Sequence, residues 1–191
     1  AVLAVGTVAS GIGIWSAMPG KDQAHPPALP RGYSSPPVAE PLDRESVLRT
    51  TSGIDLVVRH PGTWRLTSTA ADGYIALQDP RTTGVFLTAM EPSSDPALQF
   101  ARQWAVSISR KYGRVELSDD GQYDSAGAFW RFKLDVRRST VSEPGVLVVE
   151  IPPAANGPTV YRWWALLGQS AANTPTALAM ANSLSARQPD R

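Results

Sequence analysis

Ten consecutive residues, Phe129 to Arg138 (FWRFKLDVRR), alternate between two kinds of side chain almost without a break. Trp130, Phe132, Leu134 and Val136 fall on one side, and Arg131, Lys133, Asp135 and Arg137 on the other. A period of two places successive side chains on opposite faces of a strand and has no use in a helix. One face is therefore expected to be buried and the other wet or only partly covered. The neighbours narrow the choice further. Arg114 to Ser118 precedes this segment, and VLVVEI (146–151) and VYRWWALL (160–167) follow it, with no helical segment between any of the four. Parallel strands need a crossover of a dozen or more residues, so these four are expected to form an antiparallel meander.

Upstream, Ile54, Leu56 and Val58 alternate with Asp55, Val57 and Arg59 before the turn His60-Pro61-Gly62. Trp64 and Leu66 mark a short second strand. Asp72-Gly73 is a hairpin signal leading into Tyr74 to Leu77, and Asp79-Pro80 closes that strand before Val85 to Met90. One long helix then follows. Asp95 is its N-cap candidate, with Pro96 at the first helical position, where a missing N–H costs nothing. Ala97, Ala101, Trp104 and Ile108 form its stripe, widened by Phe100 and Ala105, and Lys111 and Gly113 suit its end. A second helix is expected within NTPTALAMANSLSAR (173–187), capped by Thr174, started by Pro175 and striped by Ala177, Met180, Ala181 and Leu184. The order ββββ-α-ββββ-α predicts an α+β fold with both helices packed on an antiparallel sheet.

The 191-residue length and 42% hydrophobic content suit a single core, placed here at residues 53–191. The segments before it are of another kind. Residues 1–18, AVLAVGTVASGIGIWSAM, carry no charge and read as part of a transmembrane anchor whose start is missing, with Trp15 at the interface. A cleaved signal peptide is the rival reading, and it is disfavoured by Trp15 just upstream of the small pair Ser16-Ala17. Residues 19–52 read as a proline-rich stalk, because seven prolines between 19 and 41 forbid helix and sheet there and favour an extended tether. This arrangement predicts a single-pass protein of the cell membrane with residues 19–191 outside the cytoplasm. What precedes Ala1 decides between a small anchored protein and the sensor part of a larger receptor.

At this point the chain resembles the PsbP-like fold, shared by a photosystem II extrinsic protein and a Ran-binding nuclear import factor. It is most similar to the extracytoplasmic domains of high-GC Gram-positive bacteria that follow a span and a Pro-rich linker, some of them on receptor Ser/Thr kinases. The resemblance covers roughly residues 53 to 187. It is carried by Pro61-Gly62-Thr63-Trp64, Asp79-Pro80, Asp95-Pro96 with Trp104, and Ala128-Phe129-Trp130-Arg131-Phe132. It implies a domain that binds other macromolecules and brings no catalytic residues with it.

Inventory excludes several chemistries. There is no Cys, so thiolate metal sites, disulfides and Cys nucleophiles are ruled out. Eighteen basic residues against seventeen acidic ones leave no basic footprint for nucleic acid. His60, the one His of the expected domain, stands beside a turn-forming Pro, and Asp119-Asp120 before Gly121 reads as a hairpin turn rather than a cation site. No catalytic, metal or cofactor residues are assigned, and no cofactor is expected. The domain is expected to be a monomeric, non-catalytic binding or sensing module for a protein or envelope ligand, with a cryptic envelope hydrolase as the alternative. Candidate partner-binding residues are Arg131, Lys133, Arg137, Arg162, Trp163 and Trp164. The adjacent tryptophans must face opposite sides of their strand, so one of them lies on the second face beside Arg162 and, if uncovered, would anchor a partner.

Overall fold

The meander forms as its sequence requires. In a computed structural model, which describes residues 37–50, 54–150 and 159–188, the chain begins with β1 (Arg44–Arg49), β2 (Asp55–His60) and β3 (Arg65–Leu66). A 3-10 turn (Ala70–Asp72) leads to β4 (Ile75–Gln78), β5 (Val85–Ser93) and the helix α1 (Ala97–Tyr112). There follow β6 (Arg114–Leu117), β7 (Gln122–Asp124), β8 (Phe129–Arg138), β9 (Val141–Glu150) and β10 (Thr159–Leu167), then α2 (Thr174–Asn182) and β11 (Ser185–Arg187). The fold is α+β, and every strand pair is antiparallel.

Most strands join one large sheet in the order β3-β4-β5-β10-β9-β8-β6, with β7 also on β8. A second, three-stranded sheet has the order β1-β2-β11. Helix α1 packs against β6, β8 and β9 on the first face of the large sheet. On the second face, α2 packs against β10 and β2, and β1 lies beside β4. One continuous core joins these layers, from Leu48, Leu56 and Val58 through Phe86 and Trp164 to Trp104 and Phe132.

Several elements depart from the sequence reading. Residues 44–49, assigned to the stalk, form β1, which pairs along its whole length with β2 and buries Leu48. The chain before it is also held. The Glu40 carboxylate accepts from Thr63 Oγ1, from Trp64 Nε1 and from Arg81, and the Glu40 amide donates to Thr176 Oγ1. Pro41 closes the proline run, so the strand can begin three residues later. The anchor (1–18) and the stalk up to residue 36 lie outside the described residues. Among the described residues no helix is long and apolar enough to cross a membrane. Residues 36–191 form a compact unit.

The helix ends differ in detail. Pro96 takes the cap position of α1 in extended geometry, and its carbonyl accepts from the Phe100 amide at 2.9 Å. Asp95 makes no cap; its carboxylate accepts from Gln103 Nε2. In α2 the cap position belongs to Asn173, and Thr174 lies inside the helix. The turn at Asp119-Asp120-Gly121 is as expected: Asp119 Oδ1 accepts from the amides of Gly121 and Lys133, and Gly121 sits at a φ of 85° where a Cβ would overlap the Phe132 ring.

Candidate ligand-binding pocket

Register decides what each face of the large sheet carries. On β8 the side chains of Phe132, Leu134 and Val136 are buried towards α1, while Arg131 and Lys133 are exposed on the second face. Lys133 stands opposite Val146 of β9, which stands opposite Leu166 of β10. Arg131 stands opposite Val148, which stands opposite Trp164. Read across the strands, the second face passes from two cations on β8 to aliphatic side chains on β9 and to Trp164 and Leu166 on β10. Neighbouring strands are about 4.8 Å apart, so the charged row lies roughly 10 Å from the Trp164 row.

Helix α2 roofs part of this gradient. Its Ala177 and Met180 are buried, while Leu178 points away from that stripe and remains 45% exposed. Between α2 and the sheet lies a half-open pocket of about 280 Å³. Val146, Trp164, Leu166 and Leu178 line it, and Arg131 and Lys133 complete its wall on the β8 side. Past Leu178 a shallower groove of about 550 Å³ continues over Pro175 to Pro37. The two share Gln169, Thr174 and Leu178.

The two cations at this pocket differ from the candidate residues Arg137 and Arg162. Among the described residues neither Arg131 nor Lys133 has a carboxylate within ion-pair distance; the Arg131 guanidinium lies over the Phe129 ring at 5.7 Å. Arg137 pairs with Asp135 at 3.1 Å. The Asp135 carboxyl is held below its ordinary range, first by the Ser142 hydroxyl and then by Arg137. Arg162 donates through Nε and Nη2 to Glu150 Oε2 and reaches towards the Leu184 carbonyl. It therefore ties β10 to β9 and to the end of α2 and does not line the pocket.

The tryptophan pair splits as strand geometry demands, with neither partner left as an exposed patch. Trp163 faces α1, is 1% exposed, meets the Trp104 ring edge-on at 5.5 Å, and donates Nε1 to Glu91 Oε1 at 3.1 Å. Trp164 faces the second side, is 8% exposed, and stacks on Phe86 with centroids 6.0 Å apart. Of the six candidate residues the structure thus gathers Arg131, Lys133 and Trp164 at one pocket, with Trp164 as wall rather than protruding anchor. Arg137, Arg162 and Trp163 go elsewhere. Sequence reasoning missed Val146 and Leu178. The signal for Val146 was present: VLVV does not alternate, and a strand apolar on both sides is covered on both sides. Leu178 was legible only as an apolar residue off the helix stripe.

A Ser–His contact is also present. Ser46 Oγ lies 3.0 Å from His60 Nε2, and His60 Nδ1 donates to the Pro61 carbonyl at 3.0 Å. These two bonds satisfy both ring nitrogens of a buried imidazole. Among the described residues no carboxylate bonds to this ring, and the contact ties the middle of β1 to the end of β2, so it reads as a pinned edge of the small sheet rather than an activated nucleophile. Among the described residues no group of three or more His, Asp or Glu comes together in a way that could hold a metal ion.

No family model matches the chain, and no curated protein matches it. Among solved structures it is similar to LpqN, described as involved in cell envelope biogenesis of Mycobacterium tuberculosis. The two are 16% identical over 76% of this chain and 91% of that one, with a TM-score of 0.44. At so low an overlay the likeness carries no functional argument. None of these findings confirms the PsbP-like resemblance.

Proposed function

We propose that this domain is a non-catalytic binding module, and that its ligand site is the half-open pocket between α2 and the second face of the large sheet. One observation carries this reading: the register brings two exposed cations, Arg131 and Lys133, to the rim of a pocket walled by Val146, Trp164 and Leu166. The setting proposed for it is the outside of the cell membrane, beyond the anchor read from residues 1–18 and the proline-rich stalk that follows it. The binding role implied by the PsbP-like resemblance points the same way.

Amide chemical-shift mapping of residues 36–191 against lipid and water-soluble fractions of a cell-envelope extract tests the reading. Shifts are expected to cluster at Lys133, Val146, Trp164 and Leu178, and to vanish in the double variant Arg131→Glu, Lys133→Glu. Shifts that cluster around Ser46 and His60, or that survive in the double variant, contradict it.

A further inference from the structure

Resting on that reading of the pocket, we infer that its ligand is a single-chain anionic amphiphile, with its charged head on Arg131 and Lys133 and its chain under α2 along Val146, Leu166 and Leu178. Three features converge on this class. The cations and the apolar walls are segregated rather than mixed, since the register places both charges on β8 and Val146, Trp164 and Leu166 on β9 and β10. A compact anion such as phosphate would use the charges and leave the apolar walls unfilled. A neutral hydrocarbon would fill the walls and make no use of the two solvent-exposed cations at the rim.

Size is the second feature. At roughly 30 Å³ for a water-sized group, the 280 Å³ pocket takes about nine or ten chain atoms. The groove past Leu178 allows a longer chain to continue towards Pro37 along a surface formed by Pro175, Ala171 and Leu178. The third feature is Leu178 itself. Leu178 lies off the buried stripe of α2 and outside the core, and it lines both the pocket and the groove. Its position is explained when a chain passes beneath it.

The test uses residues 36–191 and defined probes kept below their micelle concentrations. Trp164 is the tryptophan that lines the pocket, so a brominated fatty acid seated there should quench it, and Trp164→Phe should abolish most of that quenching. Dodecanoate and dodecyl phosphate are expected to compete with the brominated probe, dodecanol to compete about tenfold or more weakly, and inorganic phosphate not at all. Affinity should rise roughly tenfold for each two carbons added until the pocket is full. Arg131→Gln with Lys133→Gln should weaken dodecanoate by about tenfold or more while leaving the unfolding midpoint nearly unchanged, because both side chains are solvent-exposed.

Equal affinity for dodecanol and dodecanoate would overturn the head-group assignment, and competition by inorganic phosphate would overturn the chain assignment. Binding to phosphatidylglycerol vesicles without binding to monomeric probes would replace the amphiphile pocket by a membrane-docking face. Absence of binding by every probe overturns the ligand class, and the pocket itself then stands or falls on whether envelope-extract shifts cluster there.

Discussion

Burial sets the charge state at Glu91 more strongly than its neighbours do. Desolvation pushes its carboxyl above the ordinary Glu range, and the Trp163 indole N–H only partly opposes this. The folded chain therefore keeps the Glu91 proton to higher pH than the unfolded chain. Such a group favours folding below its unfolded pKa and loses that contribution as pH rises through the raised folded value, above which the buried charge is a standing cost. Glu91→Gln removes the charge and keeps an acceptor for Trp163. Calorimetry should show a higher unfolding midpoint for the variant near pH 7, and no difference well below the ordinary Glu pKa of about 4.3. A loss of stability near pH 7 would mean that the charge itself holds Trp163 in place. The same burial explains why the adjacent tryptophans were only half legible: alternation dictated that they part company, but the depth of each depended on α1 and α2, which no local pattern of β10 encodes.

At the scale of elements, β8 shows both the reach and the limit of pattern reading. Its alternation gave the buried and polar faces correctly, yet it cannot distinguish Arg131 and Lys133, which stand without carboxylate partners among the described residues, from Arg137, which pairs with Asp135 on the same strand. Arg162 was grouped with them because it shares a face with Trp164, but its cross-strand partner Glu150 claims it. Arg162→Ala should therefore cost about 1–2 kcal/mol of stability, since both members of the pair are partly buried, and leave ligand affinity at the pocket unchanged. Thermal unfolding together with a binding titration checks this; intact stability with lost binding would move the site to β10. The short strands β7 and β11 escaped the sequence reading because Gln122-Tyr123-Asp124 and Ser185-Ala186-Arg187 are exposed throughout and show no alternation of buried and polar side chains.

For the whole molecule, the α+β class, the meander and both helices were written in the sequence, whereas the second sheet was not. Its strand β1 lies just after a proline run that forbids sheet, and β11 follows α2 in a segment, Ser-Ala-Arg, without apolar alternation; pairing with β2 and the burial of Leu48 define both. The domain boundary consequently moves from residue 53 to about residue 37. A chain of residues 53–191 should be less stable than residues 36–191 by roughly 3 to 5 kcal/mol, through loss of Leu48 burial and of the bonds made by Glu40. Chemical denaturation of the two chains measures the difference, and equal midpoints would return β1 to the stalk.

The pocket depends on this complete architecture, because α2 is held over it partly through β2 and through the Glu40 amide bond to Thr176. Intermolecular NOEs from dodecanoate bound to residues 36–191 test the account most directly. The account predicts contacts from the chain protons to the methyl groups of Val146, Leu166 and Leu178 and to the Trp164 indole, with the carboxylate end nearest Lys133. Contacts to Phe100 and Trp104 on the α1 side, or to Val47 and Leu66 near β1, would contradict it.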